Sequence, residues 1–346
     1  MTTMRAAVYY SNRDVRLERR DRPRIGPGEI LVRIDASGLC GSDVMEWYRI
    51  HKAPLILGHE IAGTVVEVGD GDIPFAIGDR VAATHHVPCF TCHHCQNGHE
   101  TVCDLLLSGT HFDPGGFCEY VRLPAINVTR GTWRLPDLVS DDAGTFIEPL
   151  ACVLRGQRRA GVRPGASVLV IGSGISGLLH VNLAAATGAG RIVATDLSAY
   201  RRDAAIRFGA DHAIDAREDV AQGFRERNEG RGADAVIVCA GAEKAIEQAM
   251  AAVERGGAIL FFAPTLQGVT IPLSINQLFW RRDVTLTTTY AGSPADCQTA
   301  LNLIAQQRVR VEEMITHRIG LAEAGKGFQL VAEAGESIKV IIRCQE

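Results

Sequence analysis

Four cysteines crowd into 15 residues of this chain, as Cys89-x-x-Cys92-x-x-Cys95-x7-Cys103. Four thiolates on one short loop suit a tetrahedral zinc ion. They leave no open position for water or substrate, so such a site is structural. An iron–sulfur cluster is the competing occupant of four thiolates, and His93, His94 and His99 lie close enough in sequence to replace one of them. A second set of donors is dispersed. Gly38-Leu-Cys40-Gly-Ser42-Asp43 closes a predicted strand in a turn, Gly58-His59-Glu60 precedes another, and Glu148-Pro149-Leu150 stands near the middle of the chain. One thiolate, one imidazole and carboxylates make a mixed set that a catalytic zinc can use while keeping a position open.

A third constellation is glycine-rich. Gly172-Ser-Gly174-Ile175-Ser176-Gly177 matches G-x-G-x-x-G, directly after an apolar run and at the start of a helical stretch. In that context the first glycine permits the turn, the second lets the backbone approach a pyrophosphate, and the third lets helix pack on strand. The helix N-terminus offers unpaired N–H groups to the phosphates. Asp196 lies 24 residues after Gly172, at the end of the next apolar run. A carboxylate there accepts hydrogen bonds from the adenosine ribose and repels a 2′-phosphate, which favours NAD over NADP. Arg201 and Arg202 pull the other way, since arginines at this point can bind a 2′-phosphate. They are expected on the exposed start of the following helix.

The elements that must position these residues fall into two textures. Residues 1–149 read as β-rich and turn-rich, with strands expected in 29–40, 61–71, 78–87 and 114–124 and no helix before about residue 138. Short strands among turns suggest a partly open barrel or sandwich. From residue 167 onward, short apolar runs alternate with helical stretches: 167–172, 191–196, 234–241, 258–264 and 284–290. Fully apolar runs of this kind are buried parallel strands joined by crossover helices, a doubly wound α/β sheet. The tail, SIKVIIRCQE, breaks the alternation and is expected to return to the first domain. The expected division is 1–149 with 293–346, including a metal lobe at about 86–106, against 150–292.

Composition excludes several classes. Apolar residues make up 46% of the 346 and charged residues 22%, with 36 basic against 40 acidic. That is neither a disordered chain nor the basic surface of a nucleic-acid binder. No run of 18 apolar residues suggests a membrane span, and the N-terminal residues lack the pattern of a secretory signal. Ten cysteines without such a signal fit a reducing, cytoplasmic setting, in which they are ligands, catalytic thiols or packing residues. Cys118, Cys152, Cys239, Cys297 and Cys344 are read as packing. Trp47, Tyr48, His111 and Phe112 are candidate pocket walls that serve equally as packing residues. His85 and His86, beside the cysteine loop, read as packing or solvent-facing.

The ordered set GLCGSD, LGHEIAGTVVEVG, GDRV, CxxCxxCx7C, GGFCEYV, EPL and VLVIGSGISG resembles the zinc-containing medium-chain alcohol dehydrogenases, most closely their sorbitol (iditol) and threonine dehydrogenase branch. The resemblance spans nearly the whole chain. It implies a GroES-like catalytic domain completed by the C-terminal tail, a Rossmann domain, two zinc ions per chain, and a catalytic zinc in the cleft between the domains. Cys40 and His59 match the family's invariant catalytic ligands, while Glu60 and Glu148 match the two carboxylates near its metal, either of which serves as third ligand where water does not. Ser42 matches the hydroxyl that passes on the substrate's proton. A carboxylate at Glu148, where relatives acting on simple alcohols often carry cysteine, points to the polyol branch. Met45 departs from the pattern, standing where sorbitol and threonine dehydrogenases usually carry histidine. The implied activity is hydride transfer between a secondary alcohol (or its ketone) and NAD, by a homodimer or homotetramer. The alternatives are an NADP-dependent carbonyl or quinone reductase of the same superfamily and a catalytically inactive dinucleotide-binding sensor.

Overall fold

A computed structural model describes residues 2–108 and 112–346. The chain divides into two compact units, residues 1–151 with 291–307 and 311–346, and residues 152–290 with 308–310. The first boundary falls inside the helix Ile147–Arg159, two residues beyond the expected one. The three-residue segment 308–310 groups with the second unit, a detail the sequence does not signal.

In the first unit, the ends of two antiparallel strands position the donor residues. Ile30–Gly38 and Glu60–Val68 pair with Gly38 opposite Glu60 and Ala36 opposite Ala62. Glu60–Val68 pairs in turn with Arg80–Ala83, and that strand with Thr132–Arg134. Tyr120–Leu123 adds to the other side of Ile30–Gly38. The tail strand Lys339–Arg343 pairs antiparallel with Ile30–Gly38, Ile341 lying opposite Gly38, so the last residues of the chain complete this sheet. A smaller sheet of Asp14–Asp21, Thr3–Ser11 and Leu55–Ile56 joins the same core. Tyr9, Phe117 and Phe328 pack there, with ring centroids 5.5 and 5.7 Å apart. Each such side chain withdrawn from water contributes on the order of 1.5–3 kcal/mol. The expected strand 78–87 is only four residues long, because beyond Ala83 the chain leaves the sheet and turns buried His85 and His86 toward Glu148. Helix does occur before residue 138, as Glu46–Arg49, His93–Gln96, Asp104–Leu107 and Ala125–Arg130. Elements of four to six residues are too short for a 3.6-residue apolar period to register.

The second unit is a six-stranded, all-parallel sheet in the order His212–Asp215, Arg191–Asp196, Ser167–Ile171, Ala233–Val238, Val253–Phe261, Thr285–Thr288. Chain order reverses at Ser167–Ile171, the switch point at which doubly wound sheets bind dinucleotides. All five residues of that strand are buried, as a central parallel strand covered on both faces requires. The helix Ile175–Ala186 that follows buries Leu178, Leu179, Val181 and Leu183. No described helix is long and apolar enough to cross a membrane.

Candidate active site and metal centres

Cys40, two residues beyond the strand Ile30–Gly38, caps the short 3-10 helix Gly41–Val44, with Sγ accepting the Ser42 N–H at 3.4 Å. Gly58, at φ +99, turns the chain into His59, and a side chain there would press on the Phe117 backbone N at 2.8 Å. These two turns, with the Gly38–Glu60 register, bring donor atoms of Cys40, His59 and Glu60 within 4.8 Å of one another. Asp43 lies fully buried beneath them. One carboxylate oxygen accepts the Cys40 N–H at 3.1 Å, and the other is 3.5 Å from His59 Nδ1. Burial opposes the Asp43 charge, yet His59, Arg49 and the Cys40 N–H hold its carboxyl below the usual range. Burial likewise disfavours a charged His59, but Asp43 and Cys40 overcome it and raise the imidazole well above its ordinary value. One thiol, one imidazole and one carboxylate within 4.8 Å of one another, with Asp43 orienting the ring from its Nδ1 side, make a mixed donor set that fits zinc.

Glu60 is 1% exposed and forms an ion pair with Lys339, equally buried, whose Nζ also donates to the Leu39 carbonyl at 3.3 Å. Burial, reinforced by Glu148, pushes the Glu60 carboxyl up against the opposing pull of Lys339 and His59. Gly38 makes room for the pair, since a Cβ there would come within 2.9 Å of both Cε and Nζ of Lys339.

Glu148 occupies the first turn of helix Ile147–Arg159 and joins a different donor group, with His85 and His86. Its Oε1 lies 3.0 Å from His86 Nδ1. The ring of His85 lies 3.7 Å from that of His86 and 4.9 Å from that of His59, so the two donor groups adjoin. Both histidines are buried; they face these donors rather than solvent. Phe112 is buried with its ring 5.9 Å from His85, Trp47 and Tyr48 are exposed, and His111 lies outside the described residues. Cys118, Cys297 and Cys344 are buried and Cys152 and Cys239 half-buried.

The four loop cysteines also converge. Cys89 Sγ lies 3.5 Å from Cys103 and 4.0 Å from Cys95, and Cys92 lies 3.6 Å from Cys95. Hydrogen bonds from Thr91, then from the Cys92 N–H, hold the Cys89 thiol down to about 6, whereas burial first, and then Cys92, push Cys95 up to about 12. Four thiolates this close repel one another, so all ionise together only around a cation, which fits a closed zinc site. None of His93, His94 and His99 joins this group.

In the second unit, Gly172 takes φ +95 after the central strand, and Gly174 caps the helix beginning at Ile175 and Ser176. A Cβ on Gly177 would overlap the Gly172 carbonyl, which gives that glycine a packing reason. Asp196 accepts the Ser173 N–H on one oxygen and the Ser198 N–H on the other, both at 2.9 Å. Its carboxylate therefore ties the glycine turn to the end of the neighbouring strand. Arg201 and Arg202 are half-buried, not exposed. Arg202 Nη1 donates to the Asp196 and Leu197 carbonyls and lies 3.1 Å from Asp215, while an Arg201 nitrogen approaches Gly174. Sequence reasoning missed Arg49, His85, His86 and Lys339 as neighbours of the donor set. The one available signal was a lysine inside the apolar strand that ends the chain.

Comparison with known proteins matches residues 26–137 to the alcohol dehydrogenase GroES-like domain and residues 176–306 to the zinc-binding dehydrogenase family. Sorbitol dehydrogenase of Gallus gallus is 33% identical across 98% of this chain and 96% of its own. Among solved structures, an alcohol dehydrogenase from Thermus sp. ATN1 superposes with a TM-score of 0.86 at 28% identity, covering 98% of this chain and 99% of that one. The 2R,3R-butanediol dehydrogenase of Bacillus subtilis superposes at 0.84 with 27% identity, covering 98% and 99%. With a GroES-like unit holding two thiolate-containing donor groups and a doubly wound unit bearing the glycine turn, this chain belongs to the zinc-binding dehydrogenases of the alcohol dehydrogenase type.

Proposed function

We propose that the protein oxidises a secondary alcohol bearing a neighbouring hydroxyl or other polar group, a polyol or sugar-derived alcohol, with NAD as hydride acceptor. The observation that carries this reading is the convergence of half-buried Cys40 with buried His59 and Glu60, with the Ser42 hydroxyl in the same turn as Cys40 and the Glu148–His86 pair alongside. Bound zinc would supply Lewis acidity toward an alcohol oxygen, and a bound dinucleotide would supply the hydride acceptor. Cys40 and His59 would hold the metal, with Glu60 as the adjoining carboxylate. Ser42 Oγ accepts the proton of the substrate hydroxyl. Glu148, oriented by His86, hydrogen-bonds the second polar group of the substrate, and an alcohol lacking that group leaves the buried carboxylate unsatisfied. Cys89, Cys92, Cys95 and Cys103 would hold a second, structural zinc.

Gly172, Gly174, Ile175, Ser176 and Gly177 receive the pyrophosphate, and Asp196 the adenosine ribose. NADP is the second reading, favoured by the half-buried Arg201 beside the glycine turn. The sorbitol dehydrogenase and butanediol dehydrogenase relatives support the substrate class. We place the enzyme in the cytoplasm as a homodimer or homotetramer.

Initial rates read at 340 nm with NAD and NADP, over diols, sugar alcohols, hydroxy amino acids and short primary alcohols, test the proposal. A polar secondary alcohol should give the highest kcat/KM. Sorbitol and threonine should be poor, because Met45 makes one wall less polar. Ethanol as the best substrate would overturn the substrate class, and a higher kcat/KM with NADP would overturn the cofactor.

A further inference from the structure

Arg49 ends the one-turn helix Glu46–Arg49, with its side chain 13% exposed and its guanidinium 4.8 Å from the centre of the Tyr48 ring. The guanidinium straddles Ser42. Nε donates to the Ser42 carbonyl at 3.0 Å, and Nη2 donates to Ser42 Oγ at 3.3 Å. The same Nη2 lies 3.8 Å from the buried Asp43 carboxylate. A guanidinium has donors and no acceptor, and it keeps its protons. It therefore occupies one lone pair of Ser42 Oγ and prevents the hydroxyl proton from turning toward it.

We propose that Arg49 is a positioning residue of the dehydrogenase reaction, its fork locking the Ser42 hydroxyl rotor so that one lone pair of Oγ stays free for the substrate's hydroxyl proton. As the substrate O–H bond breaks, an Oγ–H bond forms and Ser42's own proton passes to water, while Arg49 exchanges none. Fixing a rotor before reaction removes reorganisation that would otherwise fall on the chemical step. The proposal rests on the reading of Ser42 as the proton-passing hydroxyl.

The test uses zinc-loaded enzyme and the best alcohol of the panel, comparing Arg49→Gln, Arg49→Lys, Ser42→Ala and the Ser42→Ala/Arg49→Gln double variant. Arg49→Gln should lower kcat about tenfold while KM for the dinucleotide stays within about twofold. Arg49→Lys, which retains a charged donor, should recover part of the loss and shows that the position tolerates substitution. In the Ser42→Ala background, Arg49→Gln should change kcat by less than about twofold, since neighbours acting as a unit are non-additive. The visible absorption of cobalt-substituted enzyme should be the same for Arg49→Gln and the parent, because Cys40 and His59 stay in place. Equal losses in both backgrounds, or a shifted cobalt band, would show Arg49 acting through Asp43 and His59 and overturn the proposal. Parental kcat in Arg49→Gln sinks the proposal alone, whereas parental kcat in Ser42→Ala sinks the reading of Ser42 and the proposal with it.

Discussion

Lys339→Met would break the ion pair beneath the Cys40–His59–Glu60 group while keeping most of the side-chain volume. Both partners are 1% exposed, so the variant leaves a carboxylate buried without its counter-charge. Removing one member of such a pair costs about 3–5 kcal/mol. A zinc ion held by Cys40 and His59 shares part of the Glu60 charge, so the lower end, about 3 kcal/mol, is expected for the loaded enzyme. For a unit of this size that corresponds to a melting temperature lower by on the order of 10 °C. Urea unfolding followed by tryptophan fluorescence is the assay. Trp47 and Trp133 belong to the first unit and Trp280 to the second, so a Trp280→Phe background reports the first unit alone. Trp280 is 68% exposed, which makes that background mild. Adding Glu60→Gln should restore most of the stability, because the uncompensated charge is then gone. A Lys339→Met protein within about 1 kcal/mol of the parent, or a double variant no more stable than the single one, would refute the reasoning.

Other outcomes follow from the remaining sites. Cys103→Ser should lose one zinc per chain by metal analysis and lower the melting temperature, since a structural metal contributes folding free energy; Cys40→Ser should abolish turnover and leave the fold largely intact by circular dichroism. Asp196→Ala should weaken NAD binding and relax discrimination against NADP by titration. It should also cost about 1–2 kcal/mol of stability, because the Ser173 and Ser198 N–H groups lose their acceptor. His180 is fully buried in the second unit, its pKa pushed down to about 3 by desolvation. It is neutral in the fold but charges in the unfolded chain near its ordinary 6.5. Its contribution is therefore complete above that value and is lost as pH falls toward 3, by about 1.4 kcal/mol per unit. His180→Leu should flatten the stability–pH slope between about pH 6 and 4 in urea titrations; an unchanged slope would exclude His180 as its source.

The features legible in the sequence are those built from neighbouring residues. Cys89, Cys92, Cys95 and Cys103 lie on one short loop, and Gly172 to Gly177 form one turn, so spacing alone constrains their geometry. The five apolar runs of the second half read directly as parallel strands, because strands covered on both faces admit few polar residues. The chemistry of Cys40, His59 and Glu60 was also legible as residue types. Their convergence is a product of register, and a pairing shifted by one residue would turn Glu60 to the other face of the sheet. Tertiary structure alone decided the partners. Lys339 reaches Glu60 across 279 positions, Glu148 pairs with His86 from a separate element, and Arg49 folds back on Ser42. A donor's identity is written in its own residue, but its partner is chosen by which side chains the sheet and its turns bury together. Where desolvation makes an unpaired charge costly, that choice holds in the fold and leaves no mark in local sequence.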